Sequence, residues 1–167
     1  MSKKGHREDP NPFRQAVSDT PDLSEDAYCL GLRALTDKHR ECIKPGTAQI
    51  LGSVNLDAAL CPRYPDASRW DYAIGMQKNN SSYAIWIEFH PANTSNVEEV
   101  LEKLRWLKEW LSSKAPELHR LTPPRAAYHW LATGGVHITP NSPQARQLAQ
   151  AGLMMPRKVL NLDTLEL

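Results

Sequence analysis

A chain of 167 residues with 41% hydrophobic residues can build one substantial core and is short for two ordinary domains. Its 20 Lys plus Arg stand against 19 Asp plus Glu, so no global field draws it to a nucleic acid or an anionic membrane, and any polyanion site has to be local. Apolar runs such as Tyr83 to Ile87 fall far short of the roughly 20 residues that span a bilayer, and the polar start from Met1 to Pro10 is unlike a signal peptide, which makes a cytoplasmic protein with no membrane partner the expectation.

Residues 1 to 20 carry Lys3, Lys4, Arg7, Glu8, Asp9, Pro10 and Pro12 with little apolar periodicity, and are expected to be a mobile tail ahead of a single α/β domain over residues 21 to 167. From Ser24 to Ile43 the spacing of Tyr28, Leu32, Leu35 and Cys42 predicts a helix with Ser24 as its cap, ended by Lys44-Pro45-Gly46. Gln49 to Asp57 alternates apolar and polar residues as a strand with one polar face. A second strand, Trp70 to Met76, would place Trp70, Tyr72, Ile74 and Met76 on one face and Asp71, Ala73 and Gly75 on the other. The polar connection from Gln77 to Ser82 has hairpin length and leads into Tyr83 to His90, the clearest strand, with Glu88 and His90 on one face.

Ser95 and Glu98 have the spacing of a capping box and introduce a helix running to about Ser113. Its buried stripe is Val97, Val100, Leu101, Leu104, Leu107 and Leu111, flanked by Lys103, Trp106 and Trp110. Ala126 to Thr133 predicts a further strand, Gly134-Gly135 a turn or bulge, Pro143 to Ala151 a helix closed by Gly152, and Val159 to Leu162 a last edge strand. Cys29, Cys42 and Cys61 form no C-x-x-C pair and are expected as free thiols.

The element order is helix, strand, strand, strand, helix, strand, with Asp71 and Glu88 on the two neighbouring strands. Paired carboxylates repel, and a hard cation such as Mg²⁺, which takes one or two carboxylates plus waters and phosphate oxygens, relieves that conflict. A nearby Lys or His would then position water or a phosphate. Plainer readings stand beside these. Asp71 could bond a turn, Glu88 could sit on a solvent face, His90 could cap its strand before Pro91, Lys103 could snorkel, and Asp57 could be a third ligand or a surface acid. No G-x-S-x-G elbow, Walker loop, H-E-x-x-H or dinucleotide Gly-rich turn occurs, and His129 and His137 lack partners at zinc-ligand spacing.

Trp70-Asp71 followed seventeen residues on by Glu88-Phe89-His90, in this element order, resembles the PD-(D/E)xK superfamily of restriction-endonuclease-like nucleases over residues 24 to 135. The resemblance implies a restriction-endonuclease-like core, a central mixed sheet flanked by helices, and Mg²⁺ or Mn²⁺ held by Asp71, Glu88 and Asp57. It implies a catalytic role for His90, which stands where the motif has Lys, or for Lys103, since some branches move that lysine into the following helix. Glu41 would be the acidic residue many members draw from the first helix. The function so implied is a metal-dependent nuclease or related phosphodiester hydrolase acting on DNA or RNA, working as a homodimer or beside a protein partner because the chain has little excess basic charge. The alternative is a non-catalytic module on the same fold, binding protein or nucleic acid through the helix face of Trp106 and Trp110.

Overall fold

In the computed structural model, which describes residues 11–167, the chain opens with α1 (Pro12–Ser18). Asn11 caps it by accepting the Arg14 N–H at 3.0 Å, and Pro12 occupies the first turn, where its missing N–H costs nothing. Phe13, Ala16 and Val17 are buried on its inner side. Residues 12 to 18, expected as part of a mobile tail, are therefore helical and packed: a short stretch of apolar spacing is enough once a sheet offers a surface. For residues 1 to 10 the same expectation lies outside the described residues.

The helix expected from Ser24 to Ile43 does not form. In its place come a short 3₁₀ turn, β1 (Tyr28–Cys29), a loop turned by Gly31 at φ +53°, α2 (Asp37–Arg40) and β2 (Ile43–Lys44). The physical reason is a non-local competitor. Tyr28 pairs with Val54, and its hydroxyl donates to the Leu51 carbonyl at 2.5 Å, which commits this residue to the sheet edge. Leu35 is buried against the other sheet face, a division that one continuous helix could not make.

Four longer strands carry the fold: β3 (Gln49–Asn55), β4 (Tyr72–Lys78), β5 (Ser81–Ala92) and β6 (Tyr128–Val136). Between the first two of these lies α3 (Leu56–Leu60), so Asp57 sits in a helical first turn rather than at a strand end. The Asn55 side chain accepts the Ala58 N–H at 3.0 Å and makes that switch. The sheet has five strands in the order β1-β3-β4-β5-β6, antiparallel except for the parallel pair β5–β6. Asn79 and Asn80, at φ +52° and +62°, turn β4 into β5 as a two-residue hairpin that Asn tolerates well.

The parallel return is made by α4 (Val97–Lys114) and α5 (Pro116–Leu121); α6 (Pro143–Ala151) follows β6. Asn93 and Asn96, rather than Ser95 and Glu98, form the capping box ahead of α4. Its buried positions are Val97, Val100, Leu104, Leu107, Trp110 and Leu111, so Trp110 belongs to the stripe and Leu101 to its margin. Gly134 and Gly135 lie within β6 where its pairing with β5 shifts register between His90 and Ala92, so the bulge of the expected turn or bulge is what forms. Gly152 takes φ +78° and closes α6. The last strand, β7 (Leu160–Asn161), pairs with β2 in a separate parallel ladder rather than extending the sheet.

The result is an α/β protein whose mixed sheet is covered on both faces. Ala73, Ala84, Trp86, Trp130 and Ala132 face α1, α4, α5 and α6, and Gly75 lets Phe13 reach the backbone, since a Cβ there would run into the ring. Tyr72, Ile74, Met76, Ile85, Ile87, Phe89 and Leu131 face Leu35, Ile43, Leu160, Leu162 and Leu165. Trp70 joins the helix-side core with Ala73, against the expected alternation, because it precedes β4 and is not held by the pleat. Among the described residues no helix is long and apolar enough to cross a membrane.

His129 on β6 is 1% exposed, and its Nε2 lies 2.6 Å from the Ala126 carbonyl, which requires the proton on that nitrogen. Burial lowers its pKa from 6.5 to about 4. An unfolded chain protonates this imidazole below about 6.5 while the folded one resists, so stability falls as pH drops from 6.5 toward 4. The loss is up to about 3 kcal/mol for a shift of this size. Urea unfolding near neutral pH and near pH 4.5 should show wild type losing about 2 kcal/mol more than His129→Gln. Equal losses would place the acid sensitivity elsewhere.

Candidate active site

Register brings the two carboxylates together. Tyr72 pairs with Ile87 in the antiparallel β4–β5 ladder, so the next residues outward, Asp71 and Glu88, stand directly opposite one another. By register their side chains share the helix-covered face with Ala73 and Trp86, near enough for the charge of Asp71 to act on Glu88. Like charges directly opposite destabilise a sheet, so this pair demands compensation.

Glu88 is 0% exposed, which removes the solvent-face explanation for it. Lys103 reaches in from α4 and its ammonium donates to both Glu88 oxygens, at 3.0 Å and 2.6 Å. Burial first, then Asp71, push Glu88 well above the usual carboxylate range, and Lys103 pulls it partly back. Burial also opposes charge on Lys103, but Glu88, with Asp71 and Asp57 behind it, outweighs burial and raises its pKa. Both directions have one origin: two carboxylates share one ammonium, leaving the cluster over-supplied with negative charge.

Asp71 is half-buried and fixed from behind, its Oδ2 accepting the Phe89 N–H at 2.9 Å. Its backbone carbonyl accepts the Leu56 N–H, tying the start of α3 to the site. Asp57 nevertheless turns away to Arg69, at 3.0 Å, and half its side chain is exposed. Arg69 Nη1 donates to the Tyr64 and Pro65 carbonyls, so this arginine braces the preceding loop. His90 is also engaged elsewhere, with Nε2 3.1 Å from Glu99 on α4. Glu41 is exposed at the end of α2. The structure thus joins Asp71, Glu88 and Lys103, engages Asp57 with Arg69 and His90 with Glu99, and leaves Glu41 exposed at the end of α2.

His39 is a neighbour that sequence reasoning missed. Its ring stacks on Phe89 at 3.8 Å and its Nδ1 meets the Tyr72 hydroxyl at 2.9 Å. Burial lowers its pKa against the pull of Asp71. No local signal marked it, since it lay in the middle of a stretch with helical spacing.

Trp106 and Trp110, the expected interaction face, stack at 6.3 Å, but Trp110 is 3% exposed and donates to Asp22 at 3.0 Å. Trp106 packs edge-on against Tyr64. Trp110 is thus spent on internal contacts, while Trp106 beside it stays partly exposed.

The donor chemistry of the cluster suits a hard cation. Asp71 and Glu88 supply carboxylate oxygens only, and Mg²⁺ is commonly held by one or two carboxylates with water and phosphate completing the shell. Among the described residues no group of three or more His, Cys, Asp or Glu assembles, so a closed all-protein cage for a transition metal is not present there. Comparison of the chain with protein-family models, with curated proteins and with solved structures returns no match in any of the three.

Proposed function

We propose that this protein is a metal-dependent nuclease, or a related phosphodiester hydrolase acting on DNA or RNA, built on a restriction-endonuclease-like core. The observation that carries the proposal is a fully buried glutamate facing an aspartate across a strand pair, with a helix lysine on both its oxygens. Burying such a cluster costs several kcal/mol per ion unless it is well compensated, and one ammonium leaves the charge of the second carboxylate without a counterpart. The order of three antiparallel strands, helix and parallel strand supports the same assignment.

Asp71 and Glu88 would hold Mg²⁺ or Mn²⁺. When bound, such a cation supplies an activated water and neutralises charge developing on a phosphoryl group. Lys103, already pointed into the site, would orient the scissile phosphate or the water, the part that the motif lysine plays from the strand itself. His90, bonded to Glu99, would have a supporting place at the rim.

The test is cleavage of single- and double-stranded DNA and RNA by purified protein with Mg²⁺, Mn²⁺ or EDTA. Cleavage is expected with either cation and none with EDTA. Lys103→Ala should slow it by about 10²- to 10³-fold, as removal of a positioned charge does elsewhere, whereas His90→Ala should change it only a few-fold. The reverse order would give His90 the lysine's role. Failure to cleave any substrate, with no divalent-ion binding by calorimetry, would overturn the proposal.

A further inference from the structure

Lys103 does more in this geometry than wait for substrate. Its ammonium lies on both oxygens of Glu88, the carboxylate with no solvent of its own. Any cation that takes Glu88 as a ligand must therefore share or displace this contact.

We propose that Lys103 is a built-in competitor for the divalent cation, neutralising Glu88 until a cation replaces it and only then turning to the substrate. This rests on the metal-site assignment above and adds to it a mutually exclusive choice. Three observations favour displacement over sharing. The first is charge. Asp71 and Glu88 together balance a divalent cation, and an ammonium held at 2.6 Å from the same oxygens would add like-charge repulsion at close range in a poorly solvated site. The second is reach. Lys103 has a flexible four-carbon stem and its side chain is 19% exposed, so the head can leave Glu88 without moving the helix. The third is access: Glu88 is fully buried and both its oxygens accept from Lys103, so a cation approaching either oxygen meets the ammonium.

The consequence is that the lysine compensates Glu88 in its buried position without a cation, at the expense of cation affinity. A protein of this design folds first and acquires its metal afterwards, with the ammonium released for the phosphate that arrives with or after it.

The experiment is calorimetric titration of EDTA-treated, dialysed full chain with Mn²⁺ and Mg²⁺ near pH 8, comparing wild type, Lys103→Met and Lys103→Arg. Lys103→Met keeps the length and removes the charge, and should bind the cation roughly tenfold more tightly, the equivalent of one unit of charge-state coupling. Lys103→Arg keeps a charge in a stiffer fork and should bind no more tightly than wild type. As a second readout, Mn²⁺ should raise the unfolding temperature of Lys103→Met more than that of wild type, because tighter binding to the folded state stabilises it more. Affinity in Lys103→Met equal to or below wild type would overturn the competition. If Lys103→Met folds only when Mn²⁺ is added, that rescue supports it, and if Lys103→Met folds in neither condition, Lys103→Gln is judged by the same affinity comparison. Wild-type cleavage with unchanged affinity in the variants would remove the competition alone; absence of divalent binding in wild type and every variant would remove it together with the metal site.

Discussion

Glu88→Gln and Asp71→Asn are each expected to lower divalent-dependent cleavage by about 10²- to 10³-fold or more while leaving the unfolding transition close to wild type. Both substitutions keep shape and remove charge. A glutamine side chain at position 88 can still accept from Lys103 through its carbonyl oxygen, and the neutral amide no longer repels Asp71, so the buried environment tolerates it. An asparagine side chain at position 71 can likewise keep accepting the Phe89 N–H, which Asp71→Ala would leave without its partner at a cost of about 1 to 3 kcal/mol. Alanine scanning would therefore mix a folding defect with a chemical one. The decisive measurement pairs single-turnover cleavage with circular dichroism on the isosteric variants. Wild-type rates in either variant would show that its carboxylate has no part in the chemistry.

Leu104→Ala should cost about 2 to 5 kcal/mol in urea unfolding, the range for deleting a leucine from a tight core. Leu104 is 1% exposed and lies in the helix-side core with Trp86 and Trp130, directly after the lysine on α4. A cavity beneath that turn would loosen the segment that aims Lys103 at Glu88. Cleavage should fall along with stability, but less than in Glu88→Gln, because no reacting group is lost. A cost under about half a kcal/mol, typical of a surface change, would mean that α4 packs on a different face.

Elements with a strong internal period were legible in the sequence. Tyr83 to Phe89 alternates so regularly that its two faces, Ile85, Ile87 and Phe89 against Ala84, Trp86 and Glu88, could be assigned on sight, and both are now accounted for by separate cores. The α4 stripe was readable for the same reason, as was the short Asn-rich hairpin that sets Asp71 against Glu88. Where local signals were degenerate, reading failed. Asn93-Thr-Ser-Asn96 offers several caps, and only the backbone geometry selects Asn93 with Asn96.

What the amino-acid order determined by itself is thus the antiparallel β4–β5 pair, the helix after it, and the two acids on neighbouring strands, because periods of two and 3.6 and a short polar turn are properties of neighbouring residues. What only the tertiary structure decided are the partnerships between distant segments. Tyr28 pairs with a strand instead of continuing a helix because β3 offers it hydrogen bonds and Leu51 a carbonyl. Asp57 is taken by Arg69, twelve residues on, and His90 by Glu99, although their sequence positions promised them to the site. Lys103 meets Glu88 because the parallel return to β6 lays α4 across that face, and a buried carboxylate draws the nearest ammonium that can reach it.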